Sequence, residues 1–240
     1  MGKTGYREYT TRILNAASPH EAIQSLVGGD FDAVGILERE LLIHVGLQPT
    51  DYLIDVGCGA GRLARQLKTY LTGSYLGIDV VPQLLTYAQG ANNGLKWRFE
   101  RASGLEIPED DSAADMVCFF SVFTHLLHEQ TFVYLRDAKR VLKDGGRIVF
   151  SFLEYCVPGH LTVFESNIQD VSLNQDPLNM FISRDAIDVW AKMLGMEVVT
   201  IIPGDQNLIP LSEPIIFQSG AAMEEMGHFG QSVCVLKKPS

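Results

Sequence analysis

The chain has only four cysteines in 240 residues, and none is spaced as a zinc ligand or a C-x-x-C redox pair. Cys58, Cys118, Cys156 and Cys234 are scattered, so the sequence predicts no disulfide framework and a reducing, cytoplasmic setting. Long apolar runs are also missing. The longest, Met116 to Phe123, is too short to cross a bilayer. The first twenty residues are polar and lack the apolar stretch of a secretion signal, so no membrane association is expected. Positive charge is scarce: 19 Lys and Arg against 29 Asp and Glu give a formal net charge of −10. The densest basic series are Arg62, Arg65, Lys68 and Arg136, Lys139, Arg140, Lys143, and both read as solvated helix faces. Nucleic acid is therefore not the expected partner. The adjacent acids Asp110 and Asp111 have no histidine at ligand spacing, so no metal site is expected.

What is present is ordinary globular material, 46% hydrophobic and 20% charged, enough for one large α/β domain. Residues 1–48 read as N-terminal helices. In them Phe31, Val34, Ile36, Leu37, Leu41 and Val45 follow a helical period, and Asp30 stands as N-cap. From residue 52 strands and helices alternate. Strands are predicted at 52–56, 74–78, 96–100, 115–120, 147–152, 197–202 and 231–237. Helices are predicted near 61–72, 81–90 and 129–142, and from Ser183 to Leu194. This alternation predicts a doubly wound, mostly parallel, seven-stranded sheet covered on both faces. Two excursions, 154–182 and 203–230, follow strands and are expected to rise at one edge of the sheet and cover a ligand there.

The densest signal is Asp55-Val56-Gly57-Cys58-Gly59-Ala60-Gly61. It closes one apolar strand and opens a helix. Its alternating glycines permit a tight turn and close approach of a ligand to the backbone. Asp79, ending the next strand, is placed to accept hydrogen bonds from two ribose hydroxyls. Together they predict an adenosine-containing cofactor at the C-terminal edge of the sheet. Spacing selects among such cofactors. A dinucleotide fingerprint needs glycine where this chain has Arg62, and Asp55 would repel a pyrophosphate while suiting a cationic amino-acid group.

This pattern resembles motif I of the class I S-adenosylmethionine (SAM) dependent methyltransferases. The resemblance covers about residues 50 to 202 and the last strand. It implies a Rossmann-like sheet, with a cofactor-binding half at 49–155 and a substrate-side half at 156–240. SAM is the implied cofactor and S-adenosylhomocysteine (SAH) its product. Asp55, Gly57, Cys58, Gly59 and Gly61 form the implied loop, and Asp79 and Val80 the implied ribose end. Ser103 and Gly104 stand where the family often places an acid near the adenine, and the serine departs from that pattern. Ser121-Val122-Phe123-Thr124-His125-Leu126 resembles the family stretch beside the methionine end, where backbone groups of Phe120 and Ser121 meet the ammonium group.

The SAM methyl group is already activated, so the protein mainly has to hold a nucleophile in line with it. An oxygen nucleophile of high pKa also gains from a general base. His125 is the leading candidate, followed by His128 and Tyr155, with Glu154 and His160 near the same edge. Tyr6 and Tyr9 are candidates to close over the cofactor. The expected function is methyl transfer to a small molecule, most readily at oxygen, in a sugar, a lipid or another secondary metabolite. One alternative is a SAM- or SAH-binding protein of the same fold that transfers no methyl group. Another is a nucleotide-dependent oxidoreductase, against which the early third glycine counts. Oligomeric state is not legible in the sequence.

Overall fold

The computed structural model describes residues 30–173 and 179–240. Tyr6, Tyr9 and His20, with the rest of the predicted N-terminal helices before residue 30, lie outside the described residues. The first described helix, α1 (Phe31–His44), starts where the sequence predicts it, with Asp30 Oδ1 accepting from the Ala33 amide at 3.3 Å. Strands and helices then alternate as β1 (Leu53–Val56), α2 (Arg62–Leu67), β2 (Tyr75–Asp79), α3 (Pro82–Ala91), β3 (Arg98–Arg101) and β4 (Ala114–Phe119). A single 3-10 turn, Phe123–His125, leads into α4 (His128–Val141) and the long β5 (Leu142–Phe152). After α5 (Pro158–Ser172) come α6 (Arg184–Leu194) and β6 (Glu197–Ile202). Four two-residue strands follow, β7 (Ile209–Pro210), β8 (Ile215–Ile216), β9 (Ala222–Met223) and β10 (Met226–Gly227), before β11 (Ser232–Lys237).

Seven strands form one sheet in the order β3-β2-β1-β4-β5-β11-β6. The first five are mutually parallel, and β11 runs antiparallel between β5 and β6. The chain order reverses between β1 and β4, which opens a crevice at the carboxyl ends of those strands. Side chains alternate between two cores, as the two-residue period of a strand requires. Ile54, Val56, Leu76, Val117, Phe119 and Phe150 face α4 and α6. Leu53, Tyr75, Met116, Cys118 and Val149 face α1 and α2.

Most predicted boundaries agree to within one to three residues. Two elements differ more. The helix after the glycine loop is regular only over Arg62–Leu67, against the predicted 61–72, because Lys68 to Thr72 unwind into turns that bond back to Leu67 and Pro49. Strand β5 begins at Leu142, five residues before the predicted start, and its pairing with β4 shifts register between Ala114 and Met116. Among the described residues no helix is long and apolar enough to cross a membrane.

The 203–230 excursion begins at the ligand-bearing edge and then packs along α1. Ile215 is buried against Ala33 and Leu37, with Leu211, Phe217 and Met223 against the same group. Ile209 joins the core beneath α1. A Cβ on Gly227 would lie 2.9 Å from a Leu37 methyl, which shows how closely this excursion sits on the helix. Ser212 donates to Glu40 Oε1 at 2.7 Å and fastens it further.

Candidate functional site

The glycine loop turns at the end of β1 under β2. The amides of Gly57 and Cys58 both donate to Ile78 O, at 2.7 and 3.1 Å. Gly57 has φ +83°, and a Cβ there would stand 2.3 Å from a Val122 methyl. The backbone at Gly57 is thus pressed against the segment after β4, and a side chain would have to displace one of them. Gly61 (φ +78°) forms the left-handed N-cap of α2 with no side-chain cap.

Asp79 closes the cradle from the β2 side. Its Oδ2 accepts from the Gly59 amide at 2.9 Å and its Oδ1 from the Val81 amide at 2.8 Å. Burial nevertheless raises its pKa. Two amides occupy only part of a carboxylate's accepting capacity, so lone pairs remain for hydroxyl donors.

Asp55 lies deeper. Its side chain shares the face of Leu53 and Tyr75. Oδ2 accepts from the Tyr75 hydroxyl at 2.7 Å, and the Cys118 thiol lies 3.6 Å from Oδ1. The carboxyl is 3% exposed, and burial lifts its pKa to about 7 even though Tyr75 and Cys118 pull the other way. Arg62, whose charge also reaches Asp55, is bonded to the buried Glu38 of α1. The floor of the loop is therefore short of positive charge. Cys58 is buried beside it, its thiol kept protonated by burial and by Asp55 and Asp79.

Across the crevice, Ser121 follows β4 with φ +57°. A left-handed conformation costs a non-glycine residue on the order of 1 kcal/mol. Three contacts hold it. Ser121 N donates to Ser151 Oγ at 2.8 Å, Gln231 Nε2 donates to Ser121 Oγ at 3.1 Å, and Thr124 Oγ1 donates to Ser121 O at 3.1 Å. Phe120 is buried against Phe229, with ring centroids 5.3 Å apart. On the adenine side Ser103 is exposed, and Gly104 O accepts from the Tyr134 hydroxyl at 3.1 Å. Val80 is partly buried beside Asp79.

Two of the predicted catalytic residues, His128 and Tyr155, meet at Phe181, and His125 stands in the segment just before His128. His125 ends the 3-10 turn, with its Nδ1 shielded from solvent. His128 Nε2 lies 2.9 Å from Phe181 O, and its ring meets Trp190 edge-on. Tyr155 is 53% exposed and stacks on Phe181 at 4.8 Å, while Phe164 packs edge-on against both. The Met180 amide donates to Thr124 O at 2.7 Å and ties this aromatic group to the segment after β4.

Glu154 and His160 lie in a separate polar knot. Glu154 is 1% exposed and receives Arg184 in two bonds, of 2.7 and 2.8 Å. The hydroxyl of Ser232 and the thiol of Cys156 donate to it as well. Together these donors overcome burial and hold its pKa down at about 2. His160 Nδ1 accepts from the Glu154 amide at 3.0 Å, and its Nε2 lies 2.9 Å from Gly230 O. That pairing fixes the Nε2–H tautomer and gives the ring a structural task. The sequence did not single out Arg184, Ser151 or Gln231. The partners of Ser151 lie 30 and 80 positions away, and no local pattern marks such contacts.

The donor set fits SAM better than a phosphate-bearing cofactor. Among the described residues it offers one acid with spare lone pairs for a diol, one buried acid short of a cation, a tightly closed glycine turn, and no basic side chain on the loop floor free of an acid. Residues 53–146 match a family model described as a methyltransferase domain. Over that stretch, about two fifths of the chain, the sequence resembles the class I SAM-dependent methyltransferases. An O-methyltransferase of Penicillium expansum is 26% identical over 179 residues, 72% of this chain and 62% of that protein. The 27-O-demethylrifamycin SV methyltransferase of Amycolatopsis mediterranei is 28% identical over 52% of this chain and 47% of its own length. The chain thus spans about half to three fifths of the length of these two curated relatives. Among solved structures, a SAM-dependent methyltransferase of Methanosarcina mazei superposes with a TM-score of 0.60 at 16% identity, over 82% of this chain and 97% of that one. The magnesium protoporphyrin IX methyltransferase of Synechocystis, solved with bound SAH, superposes with a TM-score of 0.58 at 17% identity, over 87% and 85% of the two chains. These structural likenesses establish the shared methyltransferase fold.

Proposed function

We propose that this methyltransferase moves the methyl group of SAM to an oxygen of a small, largely apolar acceptor. The observation that carries the reading is the pair of acids around one glycine turn, Asp79 partly bonded and Asp55 buried with, among the described residues, no cation in direct contact. When bound, SAM supplies an electrophilic methyl group on a sulfonium. The chain's residues then have three tasks. Asp79, with Val80 beside it, holds the ribose diol, and Ser103 and Gly104 border the adenine. Gly57, Cys58, Gly59 and Gly61 give a backbone cradle with no side chain in the way. Asp55 attracts the cationic amino-acid end through its charge, from beneath the loop, while the carbonyls of Phe120 and Ser121 face that end from across the crevice.

The acceptor side is the aromatic group of Tyr155, Phe164 and Phe181. An exposed tyrosine stacked on a phenylalanine offers a flat, apolar surface with one polar tip. Proton removal from the acceptor falls to His125, the candidate histidine in the short turn that follows β4. His128 and Tyr155 orient the acceptor through Phe181. Oxygen as the methylated atom draws support from the relatives, whose names include an O-methyltransferase and a 27-O-demethylrifamycin SV methyltransferase. They also include an ajmaline N-methyltransferase of Rauvolfia serpentina, so the methylated atom is a point for experiment. Four unpaired cysteines, three of them buried, suit a reducing cytoplasm.

The test is a screen of small hydroxylated acceptors by mass spectrometry, comparing the full chain with His125→Ala. The reading expects an acceptor to gain one CH₂ unit, and the variant to lose at least about 100-fold in turnover while keeping its SAH affinity. Turnover unchanged by His125→Ala would remove this residue from the mechanism. A product of unchanged mass would replace methyl transfer by a rearrangement.

A further inference from the structure

Three side chains from distant parts of the chain close a ring at the edge of the sheet. Ser121 N donates to Ser151 Oγ at 2.8 Å, Ser151 Oγ donates to Gln231 Oε1 at 2.7 Å, and Gln231 Nε2 donates to Ser121 Oγ at 3.1 Å. The amide orientation follows from burial. Ser151 is 0% exposed, and its hydroxyl proton needs an acceptor, which Gln231 Oε1 supplies. The reverse orientation would bring a second donor to an oxygen that already accepts from Ser121 and leave that buried proton without this acceptor. Each hydrogen bond is thereby assigned one direction. The ring encloses Ser121, the strained residue after β4. Two residues before Gln231, Phe229 packs on Phe120, so one short stretch presses on both neighbours of the 120–121 peptide.

We propose that Gln231 is a positioning residue for the cofactor edge. Through Ser151 and the Ser121 hydroxyl it clamps Ser121 in the left-handed conformation, and so fixes where the Phe120 and Ser121 carbonyls point. A backbone conformation that a serine disfavours persists because its surroundings over-determine it. The clamp explains why two hydroxyls and a primary amide converge there. It rests on the reading of Phe120 and Ser121 as the methionine-end contacts. It adds a residue of β11's approach, more than a hundred positions away, to the binding machinery.

A double-mutant cycle tests it. Gln231→Ala is compared with the full-length parent, and Gln231→Ala/Ser121→Gly with Ser121→Gly, each by calorimetric titration with SAH and by thermal unfolding. Glycine adopts φ near +57° without help, so it makes the clamp redundant. With Ser121 present, Gln231→Ala should weaken SAH binding roughly tenfold. In the Ser121→Gly background, the same change should cost less than about threefold. An equal loss in both backgrounds, or no loss with Ser121 present, would overturn the clamp. Failure of the parent to bind SAH would instead remove the cofactor reading, and the melting temperatures would still judge the clamp. Ser121→Gly should then rescue stability more in Gln231→Ala than in the parent, and strictly additive shifts would overturn it.

Discussion

Asp55 and Glu154 are two buried carboxylates at the same edge of one sheet, and they are held in opposite ways. Glu154 lies just past β5 with Arg184 in two bonds, Ser232 and Cys156 on its oxygens, and its pKa is held down at about 2. Asp55 ends β1 with a tyrosine hydroxyl, a distant thiol and, among the described residues, no cation in direct contact, and its pKa is pushed up to about 7. Both side chains are almost inaccessible to solvent, but Asp55 is packed deeper, so stronger desolvation and fewer donors together separate the two. One carboxylate is complete in itself and braces the structure. The other has no cation in direct contact among the described residues, and it sits beneath the glycine turn. On the proposed reading, an acid kept in this state under the glycine turn gives up stability in favour of binding.

The first way to break the contrast is to remove Glu154. Glu154→Ala leaves Ser232 without an acceptor and Arg184 without its ion pair. It should destabilise the fold by roughly 2–4 kcal/mol in chemical unfolding, the range being tempered by the partial exposure of Arg184. The pH profile gives the sign. A depressed pKa means that the contribution of Glu154 is present above about pH 4.5 and fades as pH falls from there toward 2. Glu154→Gln should flatten that acid limb, and an unchanged limb would show that the knot contributes nothing.

Asp55 should respond with the opposite sign. A carboxyl raised from 3.8 to about 7 binds its proton more tightly in the folded state, so stability falls as pH rises through that window. Asp55→Asn should therefore gain roughly 1–3 kcal/mol of stability at pH 8, measured without ligand, and at the same pH lose roughly tenfold in SAH affinity. A variant that lost both stability and affinity would make Asp55 a brace like Glu154.

The smallest effect sharpens the contrast from the ribose side. Asp79 is already partly bonded by the Gly59 and Val81 amides. Asp79→Asn keeps the shape and removes the charge, and should cost roughly 1 kcal/mol of SAH affinity in titration. A loss as large as that of Asp79→Ala would mean that both oxygens are needed as carboxylate.

Much of this was legible in the sequence, because strands and the glycine turn are written locally. The period of two in Leu53, Ile54, Asp55 and Val56 divides between the two cores, and β6 runs from Glu197 to Ile202 as predicted. The same period places Asp55 on the Leu53 face, hence inside, although the sequence pattern alone presented it as a contact at the loop. What the sequence did not show depends on long-range packing. The 203–230 excursion was expected as a substrate cover, and its course along α1 rests on contacts such as Ile215 with Leu37. Glu154 and His160 were candidates beside the catalytic edge, and only the approach of Arg184, Ser232 and Gly230 gives them structural tasks. The strain at Ser121 has no sequence signature, since serine is not a residue that announces a positive φ.

The most direct test of the account is calorimetric titration of the purified chain with SAH and with NAD at pH 6 and pH 8. The account predicts that SAH binds and NAD does not. It also predicts affinity roughly tenfold tighter at pH 8, because Asp55 must ionise to meet the cationic end of the ligand. Binding of NAD in preference to SAH, or no binding of SAH at either pH, would contradict it.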